Sequence, residues 1–172
     1  MRLREGASAP VFSEANMSKG IFSIEDKREK YLLISFYRYA SCPLCNLRIH
    51  DLIKNYNEYS ENLEIVAIFQ SSHDEVKRYV GKQEIPFQVI PDPERKLYKM
   101  YGVESSWKGL FRAFFFRFST IFEAVFKKGF MPGSIQGELN RVPADFLVGK
   151  NGKILKAFYG RDIGDHLPIN DV

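Results

Sequence analysis

Cysteine, histidine and tryptophan are scarce in this 172-residue sequence, which holds two Cys, three His and one Trp. Two cysteines exclude a scaffold built on several disulfides, and at this length one hydrophobic core folds a chain without bridges or a metal. The histidines, His50, His73 and His166, complete no zinc-finger spacing with the cysteines, so no metal is expected and each is read as a surface or satisfied side chain. Long apolar runs are missing too. Met1 to Ala15 carries Arg2, Arg4, Glu5 and Glu14 where a secretory segment would be hydrophobic, which predicts no export and no transmembrane segment. A thiol pair in such a chain is expected to stay reducible in the cytoplasm.

Charge of one sign is also lacking. Lys and Arg number 25 against 21 Asp and Glu, and a net +4 is too small for a dedicated nucleic-acid binder. Apolar residues at 45% and aromatics at 15% exclude intrinsic disorder. The glycines near the C-terminus, Gly149, Gly152 and Gly160, suit a hairpin and form no phosphate cradle, so no cofactor is expected.

What is present alternates between strand and helix. Tyr31 to Phe36 and Leu63 to Phe69 are short apolar runs of the kind buried on both faces of a sheet. Between them Ile49, Leu52, Ile53 and Tyr56 recur at helical spacing after Pro43, a residue suited to a first helical position. Ser71 to Asp74 begins a second helix ending near Gly81, Phe87 to Ile90 is a third strand, and Glu94 to Tyr101 a short helix. Asp145 to Val148 and Ile154 to Tyr159 flank the Asn151-Gly152 turn of a hairpin. The pattern predicts an α/β fold with a mixed sheet and helices on both faces, as one domain over residues 1–172.

The chemistry is carried by Ser41-Cys42-Pro43-Leu44-Cys45-Asn46, where a buried strand hands over to a helix. Unpaired N–H groups and the macrodipole at a helix N-terminus stabilise a thiolate there, and two sulfurs three residues apart can close a disulfide. A pair of inert buried cysteines is the structural alternative.

These residues resemble the thioredoxin fold and, within it, the peroxiredoxin or AhpC/TSA family. Gly6-Ala-Ser-Ala-Pro10-Val-Phe12 is similar to that family's N-terminal G-x-x-A-P-x-F segment. Phe36-Tyr37 with Cys45 resembles its F-Y-P-x-x-x-T-x-x-C loop, and Ile90-Pro-Asp92 with Tyr101-Gly102-Val103 its downstream segment. The branch resembled is the peroxiredoxin-like one, with cysteine in place of the motif threonine. The resemblance implies a thiol peroxidase with Cys45 as peroxidatic cysteine, Cys42 on the threonine position, a small peroxide as substrate and an external reductant such as a thioredoxin-like protein. Arg38 stands where the family has proline, and Arg141 is displaced from the usual arginine; either is a candidate to steady a thiolate, or a solvated side chain. Val142-Pro143 is similar instead to the loop of thiol oxidoreductases in which a cis-proline packs on the dithiol, so that a protein disulfide is the alternative substrate. Tyr37 and Pro43 are read as supporting residues.

Which sulfur attacks is read two ways. The resemblance assigns Cys45, whereas Cys45 heads the apolar stripe of Ile49, Leu52 and Tyr56, and burial would keep it protonated and favour a more exposed Cys42. Cys45 is preferred for peroxide, because small oxidants reach semi-buried sites.

Residues 104–141 are longer than the usual connection and hold eight of the fifteen Phe. Phe111, Phe114, Phe115, Phe118, Ile121, Phe122, Val125 and Phe126 share one side of a helical wheel, with Arg112, Arg117, Glu123, Lys127 and Lys128 outside it. This predicts an amphipathic helical insertion whose aromatic stripe covers the sheet or forms a homodimer. A basic amphipathic helix can also lie at a membrane interface, and a non-enzymatic interaction module is the third functional reading.

Overall fold

A computed structural model of the chain describes residues 1–18, 20–27, 29–59 and 61–171. The strands are β1 (Ser13–Ala15), β2 (Ile21–Ser23), β3 (Tyr31–Phe36), β4 (Leu63–Phe69), β5 (Gln88–Pro91), β6 (Ala144–Val148) and β7 (Ile154–Tyr159). The helices are α1 (Pro43–Lys54), α2 (Tyr56–Tyr59), α3 (His73–Tyr79), α4 (Lys96–Met100), α5 (Trp107–Phe116) and α6 (Phe118–Phe122), the last running into a π-helical turn over Glu123–Lys127. β1 and β2 form a small antiparallel hairpin, and the main sheet has the order β5-β4-β3-β6-β7. β3, β4 and β5 are parallel to one another, whereas β6 runs antiparallel to both β3 and β7.

Alternation along the central strands builds two cores. Leu33 on β3 with Ile65, Ala67 and Phe69 on β4 face one cluster, which also holds Cys42, Cys45, Ile49 and Leu52. Leu32, Ile34 and Phe36 with Val66 and Ile68 face the other, closed by Leu97, Tyr98 and Tyr101. Burial of both faces is why β3 and β4 read as continuous apolar runs. Gly102 has φ +64, and a Cβ there would strike the backbone of Met1, so the Tyr101-Gly102-Val103 turn needs glycine on both counts.

The expected insertion helix is broken. Arg117 leaves helical geometry at φ −119° and ψ 18°, dividing α5 from α6, and its guanidinium pairs with Asp162 and Asp165 at 2.5 and 3.2 Å. Of the two expectations for its aromatic stripe, cover of the sheet is overturned. Leu110 and Ala113 are the residues that enter the core, with Ile121 packed against it and Ala124 buried, while Phe111, Phe115, Phe118, Phe122 and Phe126 are exposed. Gly109 reinforces the inward approach, since a Cβ there would sit 3.2 Å from the carbonyl of Arg161. Small residues dock more closely than phenylalanine, and they decide which side faces in. The side chain of Phe114 lies outside the described residues.

Candidate active site

The C-terminal end of β3 aims the loop 37–42 at the start of α1. Cys42 precedes the helix in extended conformation, Pro43 takes the first helical position, and Cys45 lies in the first turn. Asn46 fastens this loop, its side-chain amide donating to the carbonyls of Ala40 at 2.7 Å and Cys42 at 3.0 Å. The Ala40 N–H donates to Ser71 Oγ at 2.9 Å. Ser71 thus binds the cysteine loop; Ser72 is the residue that precedes α3.

Arg38 is buried, and its Nη1 lies 3.3 Å from Cys42 Sγ. The same guanidinium rests over the Tyr39 ring and donates through Nη2 to the carbonyl of Leu139. That carbonyl belongs to an irregular strap over residues 134–139 that crosses the site. Ser41 Oγ donates to the Ser134 carbonyl at 2.6 Å, the Ser72 N–H to Gln136 Oε1 at 2.8 Å, and Gln70 Nε2 to the Glu138 carbonyl at 2.7 Å. Glu138 is anchored by Arg95 at 2.7 Å and Arg141 at 3.1 Å, and accepts from Ser105. Cys42 is therefore as buried as Cys45, contrary to the expectation that it is the more exposed sulfur. Nothing local to the Cys-x-x-Cys segment foretells a cover that arrives from ninety residues downstream.

The two thiols are driven apart electrostatically. Burial alone pushes Cys42 up, but a hydrogen bond from the Cys45 thiol, the Arg38 charge and the Arg38 hydrogen bond outweigh it and bring the group from 9.0 down to about 6. Burial also pushes Cys45 up, and donation to Cys42 together with the neighbouring thiolate charge holds it well above its ordinary value. At neutral pH the arrangement favours one thiolate and one thiol in the same helical turn. Such a pair can attack an electrophilic oxygen or sulfur and then close on itself.

Beneath α1 lies a polar cluster. The β3–β6 register sets Ser35 opposite Asp145. The buried Asp145 carboxylate accepts from Ser35 Oγ, from the Leu167 N–H at 2.7 Å and from His166 Nδ1 at 3.0 Å. Burial opposes ionisation of Asp145, yet the His166 ring, Arg48 and Ser35 together lower its pKa. The His166 ring lies 4.8 Å from that of Tyr37, which is stacked on Phe69 and buried. Burial raises the Tyr37 pKa, and the nearby Asp145 adds to this while Arg48 opposes it. Sequence reasoning missed Asp145 and His166. The available signal was a lone carboxylate on an otherwise apolar strand, Ala-Asp-Phe-Leu-Val; His166 offered none.

The remaining expected residues lie elsewhere. Arg141 is buried, so a solvated role is excluded; it holds the strap through Glu138 at 3.1 Å, donates to the Val103 carbonyl at 2.7 Å and lies over the Tyr98 ring. Pro143 is not cis, as no cis peptide bond occurs among the described residues. It enters β6 as a trans proline, its carbonyl accepting from the Gly160 N–H at 3.0 Å. Val142 and Pro143 line a groove of about 390 Å³ with Arg2, Ser105 and Arg161, which neither cysteine lines, so the cis-proline contact with the dithiol is corrected.

The model of the AhpC/TSA family matches residues 6–157 of the chain. A Haemophilus influenzae protein assigned to the peroxiredoxins as bcp is 26% identical over 165 residues, covering 95% of this chain and 91% of its own length. Peroxiredoxin Bcp of Bacillus subtilis is 22% identical over 168 residues, covering 97% and 92%. Among solved structures, PrxQ of Xylella fastidiosa superposes with a TM-score of 0.68 at 12% identity over 92% of this chain and 87% of that one. With its mixed sheet flanked by helices in the thioredoxin-like arrangement, the chain belongs to the AhpC/TSA family and is an oxidoreductase of the peroxiredoxin kind.

Proposed function

We propose that the protein reduces small peroxides through a cycle between the Cys42–Cys45 dithiol and its disulfide, with Cys42 as the attacking sulfur. The carrying observation is the Arg38 Nη1 to Cys42 Sγ contact of 3.3 Å, which gives Cys42 the only guanidinium directly bonded to a site sulfur among the described residues. This reverses the order that resemblance implies, in which Cys45 attacks first. The Cys42 thiolate attacks one peroxide oxygen, the O–O bond breaks, and the departing oxygen takes a proton to leave as alcohol or water. Arg38 steadies the thiolate and the negative oxygen that develops. Cys45 then loses its proton and attacks the Cys42 sulfenic acid; hydroxide leaves, combines with that proton as water, and a disulfide forms. An external dithiol, such as a thioredoxin-like protein, returns two electrons and two protons by thiol–disulfide exchange. This cycle needs no metal or bound cofactor and suits a reducing compartment such as the cytoplasm, and we read residues 1–172 as one unit that carries it, with 104–141 inserted.

A second reading, reduction of protein disulfides, is disfavoured by the strap over residues 134–139, which leaves both sulfurs buried and admits a small molecule more readily than a folded substrate. The test is rapid mixing of reduced protein with hydrogen peroxide, followed by trapping and mass spectrometry. Sulfenate should appear on Cys42, accumulate in Cys45→Ser, and be absent in Cys42→Ser. Sulfenate first on Cys45 reverses the assignment, and inertness of both removes the peroxidase reading.

A further inference from the structure

The aromatic side of α5 and α6 is turned away from the protein. Trp107, Phe111 and Phe115 recur every fourth residue along α5, as do Phe118, Phe122 and Phe126 along α6 and the π turn, and all six are exposed, from 47% at Phe122 to 82% at Phe115. They are not leftovers of loose packing. The opposite side is held by Leu110 and Ala113 in the core and by the two ion pairs of Arg117. Six exposed rings on two consecutive helical segments, Phe122 and Phe126 in ring contact at 4.8 Å, are more apolar surface than isolated soluble surfaces usually carry.

Charge around the patch indicates what covers it. Lys108 and Arg112 each follow a stripe aromatic by one position, and Lys127 follows Phe126; all three are exposed. Between residues 107 and 128 the sequence contains one acid, Glu123. A two-fold contact with a second copy brings basic rows toward their own counterparts with few carboxylates to offset them. An anionic lipid surface supplies the missing charge, takes the rings among its headgroups and lets the Lys and Arg heads remain in water. No described helix is long and apolar enough to cross a bilayer. We propose that the α5–α6 face docks on a membrane surface rich in anionic phospholipid, lying along it. This does not depend on the redox reading.

Trp107 is the sole tryptophan and sits in the stripe, so its emission reports binding. The reduced full chain is titrated with vesicles of phosphatidylcholine alone and of phosphatidylcholine mixed with phosphatidylglycerol, at low and high salt. The expected result is a blue shift and co-sedimentation with the mixed vesicles, reversed by salt. Neutralising Lys108 and Arg112 to Gln should weaken partition about 25-fold, at about fivefold per cation. Phe111→Ala with Phe115→Ala should abolish the shift with an unchanged circular dichroism spectrum, as both rings are exposed. Cys42→Ser should bind as well as the parent, so the docking and peroxidase readings fail separately. Trp107 emission unaffected by mixed vesicles overturns the proposal, as does equal binding to neutral vesicles. A dimer in sedimentation velocity that is lost in the Phe double variant, without vesicle binding, assigns the face to a second copy instead.

Discussion

Arg38 and Cys42 meet at 3.3 Å across one turn of loop, in an interior where neither side chain reaches solvent. A buried guanidinium is costly unless an anion faces it, and the Cys42 thiolate is that anion. Each group thus holds the other in its charged form, which ties the strand end to the chemistry of the helix start.

Arg38→Met removes the cation and keeps most of the volume. We expect the Cys42 pKa to rise from about 6 toward its ordinary value, and reaction with hydrogen peroxide at neutral pH to slow by about 100-fold or more. Thiolate absorbance near 240 nm and stopped-flow oxidation rates measure the two effects; an unchanged titration midpoint refutes the coupling.

The same coupling sets the pH dependence. A thiol whose folded pKa lies below the unfolded one stabilises the reduced protein fully above the unfolded value of 9.0 and loses that contribution as pH falls toward about 6. Urea unfolding of reduced protein should show a stability, relative to Cys42→Ser, that rises between about pH 6 and pH 9.0 and is flat with pH below that range. Oxidation rates follow the folded value alone, so they should rise around pH 6 and level off near neutrality.

Asp145→Ala leaves Ser35, His166 and the Leu167 N–H without their acceptor in a buried site. A loss of about 3–5 kcal/mol is expected, read from chemical denaturation, with Asp145→Asn less damaging. Because its folded pKa is lowered, the Asp145 contribution is present above the ordinary carboxylate range and is lost as pH falls through the folded value.

Glu138→Ala cuts the strap from Arg95, Arg141 and Ser105 together. Cys42 should then react at least about tenfold faster with a bulky aromatic disulfide reagent, while hydrogen peroxide, which needs a much smaller opening to reach the buried sulfur, changes far less. Equal acceleration of both reagents argues that the strap does not control access.

Local pattern carried the framework. β3, β4 and the β6–β7 hairpin were legible because their alternation or continuous apolarity is set by the faces they bury, and Pro43 marked the start of α1. The helix over 107–128 was legible in period but not in orientation: a wheel identifies an aromatic side without saying whether Gly109, Leu110 and Ala113 or the phenylalanines fit the surface beneath. Arg38 stood out because it replaces a proline, but its partner did not, since the Leu139 carbonyl that orients it lies far along the chain. Asp145 and His166 were hidden for the same reason: their meaning comes from the β3–β6 register and a C-terminal turn.

The two sulfurs share a single helical turn, with Cys42 before Pro43 and Cys45 two residues after it. On the proposed cycle, bridging them requires no unwinding of α1 and no second subunit, so a freshly oxidised Cys42 always has its trap beside it. A further peroxide molecule must then outrun an intramolecular collision to drive that sulfur to the irreversible sulfinic state. Tolerance of oxidant surges is thereby built into the spacing of two residues.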